Sequence, residues 1–479
     1  MDLAEYAACD GLELAELVRR GDVTAEELAA LAAEGTSRVN DRLGAVIEVF
    51  ADRVERPLGD DGPTGPFGGV PLLLKDLYHG EAGRVCENGS RLSEGWVVPS
   101  DTGLIRRVRR SGIVSLGRAT TSEWGIMGTT ETALAGPTCS PWSQDHIAGG
   151  SSGGAGASVG AGIVPIAIAS DGGGSIRIPA ACCGVVGLKP SRGRISFGPD
   201  AGEPLSGWAV RFAVSRSVRD SAALLDALHG PEPGDPTLLP PPERPYLDEC
   251  GRDPGRLRIA FCTEPWNGAP EHAEHAGATE ATARLLADLG HDVDRAAPVV
   301  DWDAFLDCMV DMWSANTAHG IDQFGAALGR EPSRENLEPV TYAMWRYGAG
   351  LSGAQVLAAL DHVNVVNRRL GSFFADWDVL LTPTLGHPQQ RIGAYAALGE
   401  ASPREVFGGW AHVEGFLPFF NCSGQPAISL PLHQATTGLP IGMQLVGRLG
   451  DEATLFRVAA QLESAQPWRG RVPPLHVSR

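Results

Sequence analysis

The stretch Ser170–Ala180 reads SDGGGSIRIPA. Three consecutive glycines give up backbone order at an entropic cost, so the backbone just ahead of Ser175 has to be bare for a reason. A bound phosphate, a tight turn and a reacting carbonyl are the candidates. The residues leading in, Gly162–Ser170 (GIVPIAIAS), form an apolar run with the length of a buried strand. The residues leading out, SIRIPAACC from Ser175, read as a short helix whose positive end faces the glycines. Strand, glycine loop and helix start together point to an α/β fold.

The phosphate option fails on spacing. A phosphate loop needs G-x-x-x-x-G-K-[ST], and lysine follows no glycine run here except Lys189 after Leu188. A dinucleotide turn needs G-x-G-x-x-G after a strand, and no window between Gly149 and Gly174 supplies it. GGSSG at Gly149–Gly153 matches the G-x-S-x-G elbow of α/β-hydrolases, but the residues before it (SPWSQDHIA) are polar and turn-like where the elbow demands a strand. Acyl transfer remains. Its tetrahedral intermediate places negative charge on oxygen and needs converging backbone N–H donors, which Gly172, Gly173, Gly174 and Ser175 are placed to supply.

Serine as a nucleophile needs a base. None of the 12 histidines lies near these motifs in sequence. The chain contains only two lysines, Lys75 and Lys189, among 39 cationic residues, so lysine is kept where a deprotonatable amine matters. Lys75 closes an apolar run, GPFGGVPLLLKD, that reads as a buried strand. Burial lowers the pKa of a lysine and makes it a neutral base.

Taken together, GVPLLLKD, GGSSGGAGASVGAG and SDGGGSIRIPA resemble the amidase signature family of Ser-Ser-Lys hydrolases. The similarity extends through GVVGLKPSRGRIS, LLTPT and NCSGQPAISLP, and is nearest to bacterial amidases of the 6-aminohexanoate cyclic dimer hydrolase and urethanase type. The resemblance implies a central twisted mixed β-sheet flanked by helices on both faces. It implies Ser175 as nucleophile, Ser151 as a bridging serine on a cis peptide, and Lys75 as base. The 24 positions between the two serines fit the family spacing. It further implies an oxyanion hole from Gly172 to Ser175, support from Ser152, Ser170, Asp171 and Arg177, and substrate contact at Gly125, Ile126 and Met127 in TSEWGIMG. One position departs from the pattern. The family usually carries alanine or a larger residue where Gly172 stands, and the change implies a looser oxyanion loop.

Each of these residues also has a plainer role to compete with. Serine beside glycine is commonly a turn residue, Ser151 and Ser152 could cap the small-residue helix that follows, and Lys75 with Asp76 could be a surface pair. The motif and the scarcity of lysine favour the catalytic roles. Asp171 and Arg177 read as an ion pair bracing the loop, and Lys189 as structural. His272 and His275 (EHAEH) have helical spacing without further ligands, so neither a metal nor any other cofactor is expected.

The rest of the chain sets the frame. A net charge of −19 argues against nucleic acid and anionic membranes as partners, and leaves a small amide or carbamate as the expected ligand. The N-terminal residues lack the pattern of a signal peptide, and the nine scattered cysteines fit reduced thiols, so a cytoplasmic monomer or homodimer is expected. Asp10 is placed to cap a helix ending near Gly21, and Thr24 with Glu27 to form a capping box for one running to about Arg38. One domain of 479 residues is expected, with its catalytic core at about 60–230, a proline-rich surface loop at 231–255, and a helical segment at about 300–375 that lines the pocket. The rival function is the glutaminase subunit of a tRNA-dependent amidotransferase, which shares the same signature.

Overall fold

The computed structural model describes all residues except 59–61 and 63, and omits the side chains of 397, 400 and 411–414. Its centre is one sheet of eleven strands. In chain order these are β1 (Val46–Val49), β2 (Pro71–Lys75), β3 (Val114–Ala119), β4 (Ile166–Asp171), β5 (Val186–Lys189) and β6 (Val210–Ser215), then β7 (Arg258–Phe261), β8 (Asp292–Arg295), β9 (Val379–Pro383), β10 (Ala427–Gln434) and β11 (Pro440–Gly447). Their order across the sheet is β1-β3-β2-β4-β6-β5-β10-β11-β9-β7-β8.

The sheet is mixed. β2 runs parallel to β3 and to β4, while β4 pairs antiparallel with β6 along its whole length. β2 and β4 are therefore interior neighbours, and their sequences follow from that position: PLLLK is buried at every residue and IAIASD at all but Ser170. Pro71 sits at the first position of β2, where its missing N–H is tolerated. Parallel pairing of β2 with β4 brings Lys75 and Ser170 to the same end of the sheet, where the glycine loop begins.

The helices obey local rules. Asp10 and Thr24 each form a capping box, and a further one at Asp2 starts a short helix, Leu3–Ala8, outside the sequence expectation. The Thr24-capped helix continues past Arg38 to Leu43 and stops at Gly44, whose left-handed φ of 62° suits glycine. Helices Trp302–Leu328, Pro339–Ala349 and Gly353–Asp376 fill the segment expected to be helical. Residues 231–255 hold only one short helix, Tyr246–Glu249.

Among the described residues two large hydrophobic clusters result, beside a small one of Leu92, Ile321 and Leu337. One surrounds the sheet and includes Ile168, Ile178, Phe212 and Leu445. The other gathers around helix Trp302–Leu328 and includes Phe305, Met309, Trp313, Phe407 and Trp410. No helix among the described residues is long and apolar enough to cross a membrane.

Candidate active site

Lys75 ends β2 with 1% of its surface exposed. Its Nζ lies 2.7 Å from Ser151 Oγ and 3.0 Å from Ser170 Oγ. Burial lowers its pKa to about 7, against an opposing pull from the Asp171 carboxylate. An amine so placed is half neutral near pH 7 and can take a serine proton. The neighbouring Asp76 is also buried and faces Arg118 at 3.2 Å, so the lysine and aspartate are not a surface pair.

Ser151 reaches the amine from the loop before helix Gly153–Gly160. The Gly150–Ser151 peptide is cis. A Cβ on Gly150 would fall 2.6 Å from Met127 O and Thr129 N, so glycine is what lets the 127–129 loop close over this turn. The Ser151 carbonyl accepts from Ser122 N–H at 3.1 Å and from Thr130 Oγ1 at 3.3 Å. Ser152 donates through Oγ to the Ser170 carbonyl at 3.2 Å, tying the serine loop to β4.

The glycine loop is held from behind. Asp171, fully buried, receives Arg177 Nε at 2.9 Å on one oxygen and Arg177 Nη2 at 2.9 Å on the other. Burial alone would raise this carboxyl, but the guanidinium holds it well below the usual carboxylate range. Asp171 also accepts from the backbone N–H of Gly174 at 2.7 Å and of Ile176 at 3.1 Å. This narrows the oxyanion expectation. The Gly174 N–H is engaged by Asp171, and the candidate donors are those of Gly172, Gly173 and Ser175.

Sequence reasoning missed the far side of this brace. Arg177 Nη1 donates to Gln444 Oε1 at 2.8 Å and Leu417 O at 3.1 Å, and Arg177 Nη2 donates to Asn421 Oδ1 at 2.6 Å. Asn421 returns its amide to Asp171 Oδ1 at 2.8 Å. NCSGQPAISLP carried a signal for Asn421, but partners 240 to 267 positions away leave no local trace. Lys189 is fully buried, donates to Pro190 O at 3.0 Å, and is pushed well below its ordinary pKa by burial and by Arg177.

Ser175, 6% exposed, borders a cavity lined mainly by apolar side chains. Gly173, Ile126, Gly128 and Ile178 line it together with Trp302, Met309, Trp313, Phe407, Trp410 and Pro418. The cavity thus lies where the two hydrophobic clusters meet. Of the loop expected to touch substrate, Ile126 lines the cavity, and its neighbour Gly128 joins it. Gly125 instead backs onto Ser151, and Met127 anchors the loop by donating its N–H to Ser122 Oγ at 3.2 Å. Within 300–375, Trp302, Met309 and Trp313 reach the cavity, whereas Trp345 bonds Asp322 and Tyr347 bonds Asp311 elsewhere. Phe407, Trp410 and Pro418 lie beyond the segment singled out in the sequence.

His272 caps its helix while His275 is buried beside it, their Nδ1 atoms 3.1 Å apart. The backbone carbonyl of His275 accepts from Thr279 Oγ1 at 2.9 Å. Among the described residues no group of three His, Cys, Asp or Glu side chains is arranged to hold a metal.

A protein-family model for amidases matches residues 30–456. The chain belongs to the amidase family. It is 37% identical over 478 residues to a 6-aminohexanoate-cyclic-dimer hydrolase of Pseudomonas sp. (strain NK87), covering 97% of this chain and 96% of that protein. A solved structure of 6-aminohexanoate cyclic dimer hydrolase superposes with a TM-score of 0.93 at 36% identity, covering 98% of this chain and 99% of the other. A bacterial aryl acylamidase of the amidase signature family superposes at 0.86 with 25% identity, covering 96% of each chain. The mixed sheet with its flanking helices is the amidase signature fold, and this amidase is a hydrolase of amide C–N bonds.

Proposed function

We propose that this amidase cleaves uncharged aryl or alkyl amides through an acyl-enzyme on Ser175, with carbamates and esters also within reach of the same machinery. The observation that carries the reading is the buried Lys75 amine, 2.7 Å from Ser151 Oγ beside the serine-bearing glycine loop. Neutral Lys75 accepts the Ser151 proton, and Ser151 takes the Ser175 proton as Ser175 Oγ bonds to the carbonyl carbon. The oxyanion is met by the N–H groups of Gly172, Gly173 and Ser175. The protons return by the same path to the leaving nitrogen as the C–N bond breaks. Water, deprotonated through the same relay, then cleaves the ester and frees Ser175.

The aromatic cavity supports apolar groups on the substrate. None of its lining residues is charged, which disfavours the ammonium and carboxylate of glutamine and so the amidotransferase-subunit alternative. Likeness to a cyclic dimer hydrolase and an aryl acylamidase favours amides with aliphatic or aryl flanks. A sulfonyl fluoride is expected to label one peptide, that containing Ser175, and Ser175→Ala to lose both label and turnover. A screen of aryl amides, alkyl amides, carbamates, esters and glutamine completes the test. Labelling at Ser151, or hydrolysis of glutamine alone, would overturn the proposal.

A further inference from the structure

The missing side chain at Gly172 has its space taken by two residues from elsewhere in the chain. A Cβ there would lie 2.9 Å from Leu205 Cδ2, 3.2 Å from Trp313 Cζ2 and 3.3 Å from Trp313 Cη2. At Gly173 it would lie 3.4 Å from Trp313 Cζ2. The edge of the Trp313 indole therefore rests along the two glycines that offer oxyanion donors. The space beside these glycines is therefore covered rather than open.

Both covering residues are held in place. Trp313 projects from the middle of helix Trp302–Leu328, is 7% exposed, and packs edge-on against Phe407 with ring centroids 5.6 Å apart. Phe407 in turn packs on Trp410 at 5.4 Å. Leu205 sits in the turn Pro204–Gly207, where Leu205 and Ser206 take left-handed φ values of 54° and 52° that side chains rarely adopt. Such a conformation persists only when its surroundings enforce it. Asn316, one helical turn beyond Trp313, does so by donating Nδ2 to Ser206 Oγ at 3.0 Å and to Met312 O at 2.8 Å.

From this geometry we propose that Trp313 is a specificity-determining residue, with Leu205 positioning it, and that the pair restricts the substrate to acyl groups unbranched at the carbon next to the carbonyl. The inference rests on Ser175 as the acylated residue. A carbonyl within bonding reach of Ser175 Oγ, with its oxygen toward the N–H groups of Gly172 and Gly173, places its α-carbon close to the ring edge that covers them. A straight chain or a flat ring passes along the indole toward Phe407 and Trp410. A branch at the α-carbon meets it.

The test compares anilides of pentanoic acid and of 2,2-dimethylpropanoic acid with wild type, Trp313→Ala, Trp313→Phe, Gly172→Ala and Gly172→Ala/Leu205→Ala. Sulfonyl fluoride labelling of Ser175 is followed in each. Wild type is expected to favour the straight chain, and Trp313→Ala to reduce that preference about tenfold, the scale of a methyl-sized change in an apolar pocket. Trp313→Phe, which keeps a ring against Phe407, is expected to reduce it less. Gly172→Ala is expected to lower kcat/KM for both anilides, with Leu205→Ala restoring part of the loss, as contacting residues couple. An unchanged preference in Trp313→Ala and Trp313→Phe enzymes that still label at Ser175 would overturn the inference and leave the acyl-enzyme standing. Hydrolysis of the straight-chain anilide without any labelling of Ser175 would instead remove the acyl-enzyme, and the inference with it.

Discussion

In the proposed mechanism Lys75 is the residue on which the chemistry turns, and its protonation sets the pH dependence. Burial places its pKa near 7, so the ammonium predominates below that value and the amine above it. Only the amine accepts a proton, so kcat/KM should rise with a slope of one in pH below about 7 and level off above, provided the substrate does not titrate. A falling limb across that range, measured with a neutral anilide, would reject Lys75 as the base. Basicity is the requirement, rather than charge. Lys75→Arg should therefore be as damaging as Lys75→Ala, each lowering kcat by roughly 10² to 10⁴, because a guanidinium stays protonated. An active Lys75→Arg enzyme would point to a merely electrostatic role.

The glycine loop shows how elements share one task. β4 delivers Asp171, the helix Arg177–Cys183 delivers its partner, helix Phe419–Ser423 delivers Asn421, and β11 delivers Gln444. A buried ion pair is weak support for stability while intact, but loss of one partner strands the other charge in a dry interior. Arg177→Leu should therefore cost about 3 to 5 kcal/mol in denaturant unfolding, and weaken labelling of Ser175 because the loop loses its brace. Arg177→Lys should recover little, since a single ammonium cannot serve Asp171, Asn421, Leu417 and Gln444 together. Wild-type stability in Arg177→Leu would show that the sheet and helices hold the loop without the ion pair.

The charge of the entire chain acts over a longer range. At −19 the protein repels anions, and the cavity that Ser175 borders offers no compensating cation. An anilide bearing a carboxylate should be a poorer substrate than its neutral isostere, and added salt should narrow the gap several-fold by screening over about 10 Å at 0.1 M. Salt should leave the neutral anilide nearly unchanged. A carboxylate-bearing substrate preferred at low salt would mean that a cation reaches the site.

Legibility followed distance along the chain. The strand before the glycines, the cap at Asp10, the capping box at Thr24, and the helical character of 300–375 were readable because each depends on residues within a few positions of one another. The same local rules misplaced ends. The helix from Thr24 was expected to stop near Arg38, but packing of Val39 and Leu43 into the core carries it on to Gly44. β1, β5, β6 and β11 were not foreseen, since short strands differ little from other runs of the chain until their neighbours in the sheet are known.

Consecutive residues alone settle that the backbone before Ser175 is bare, that a serine follows it, and that lysine is kept at only two positions, because these are matters of composition and local conformation. The folded chain decides the rest. It brings Lys75 to Ser151 across 76 positions, turns the Gly174 N–H toward Asp171, and lays Trp313 over Gly172. Those are contacts between distant segments, fixed by the order of strands in the sheet and by which faces of helices the two hydrophobic clusters bury, and no run of neighbouring residues encodes them separately.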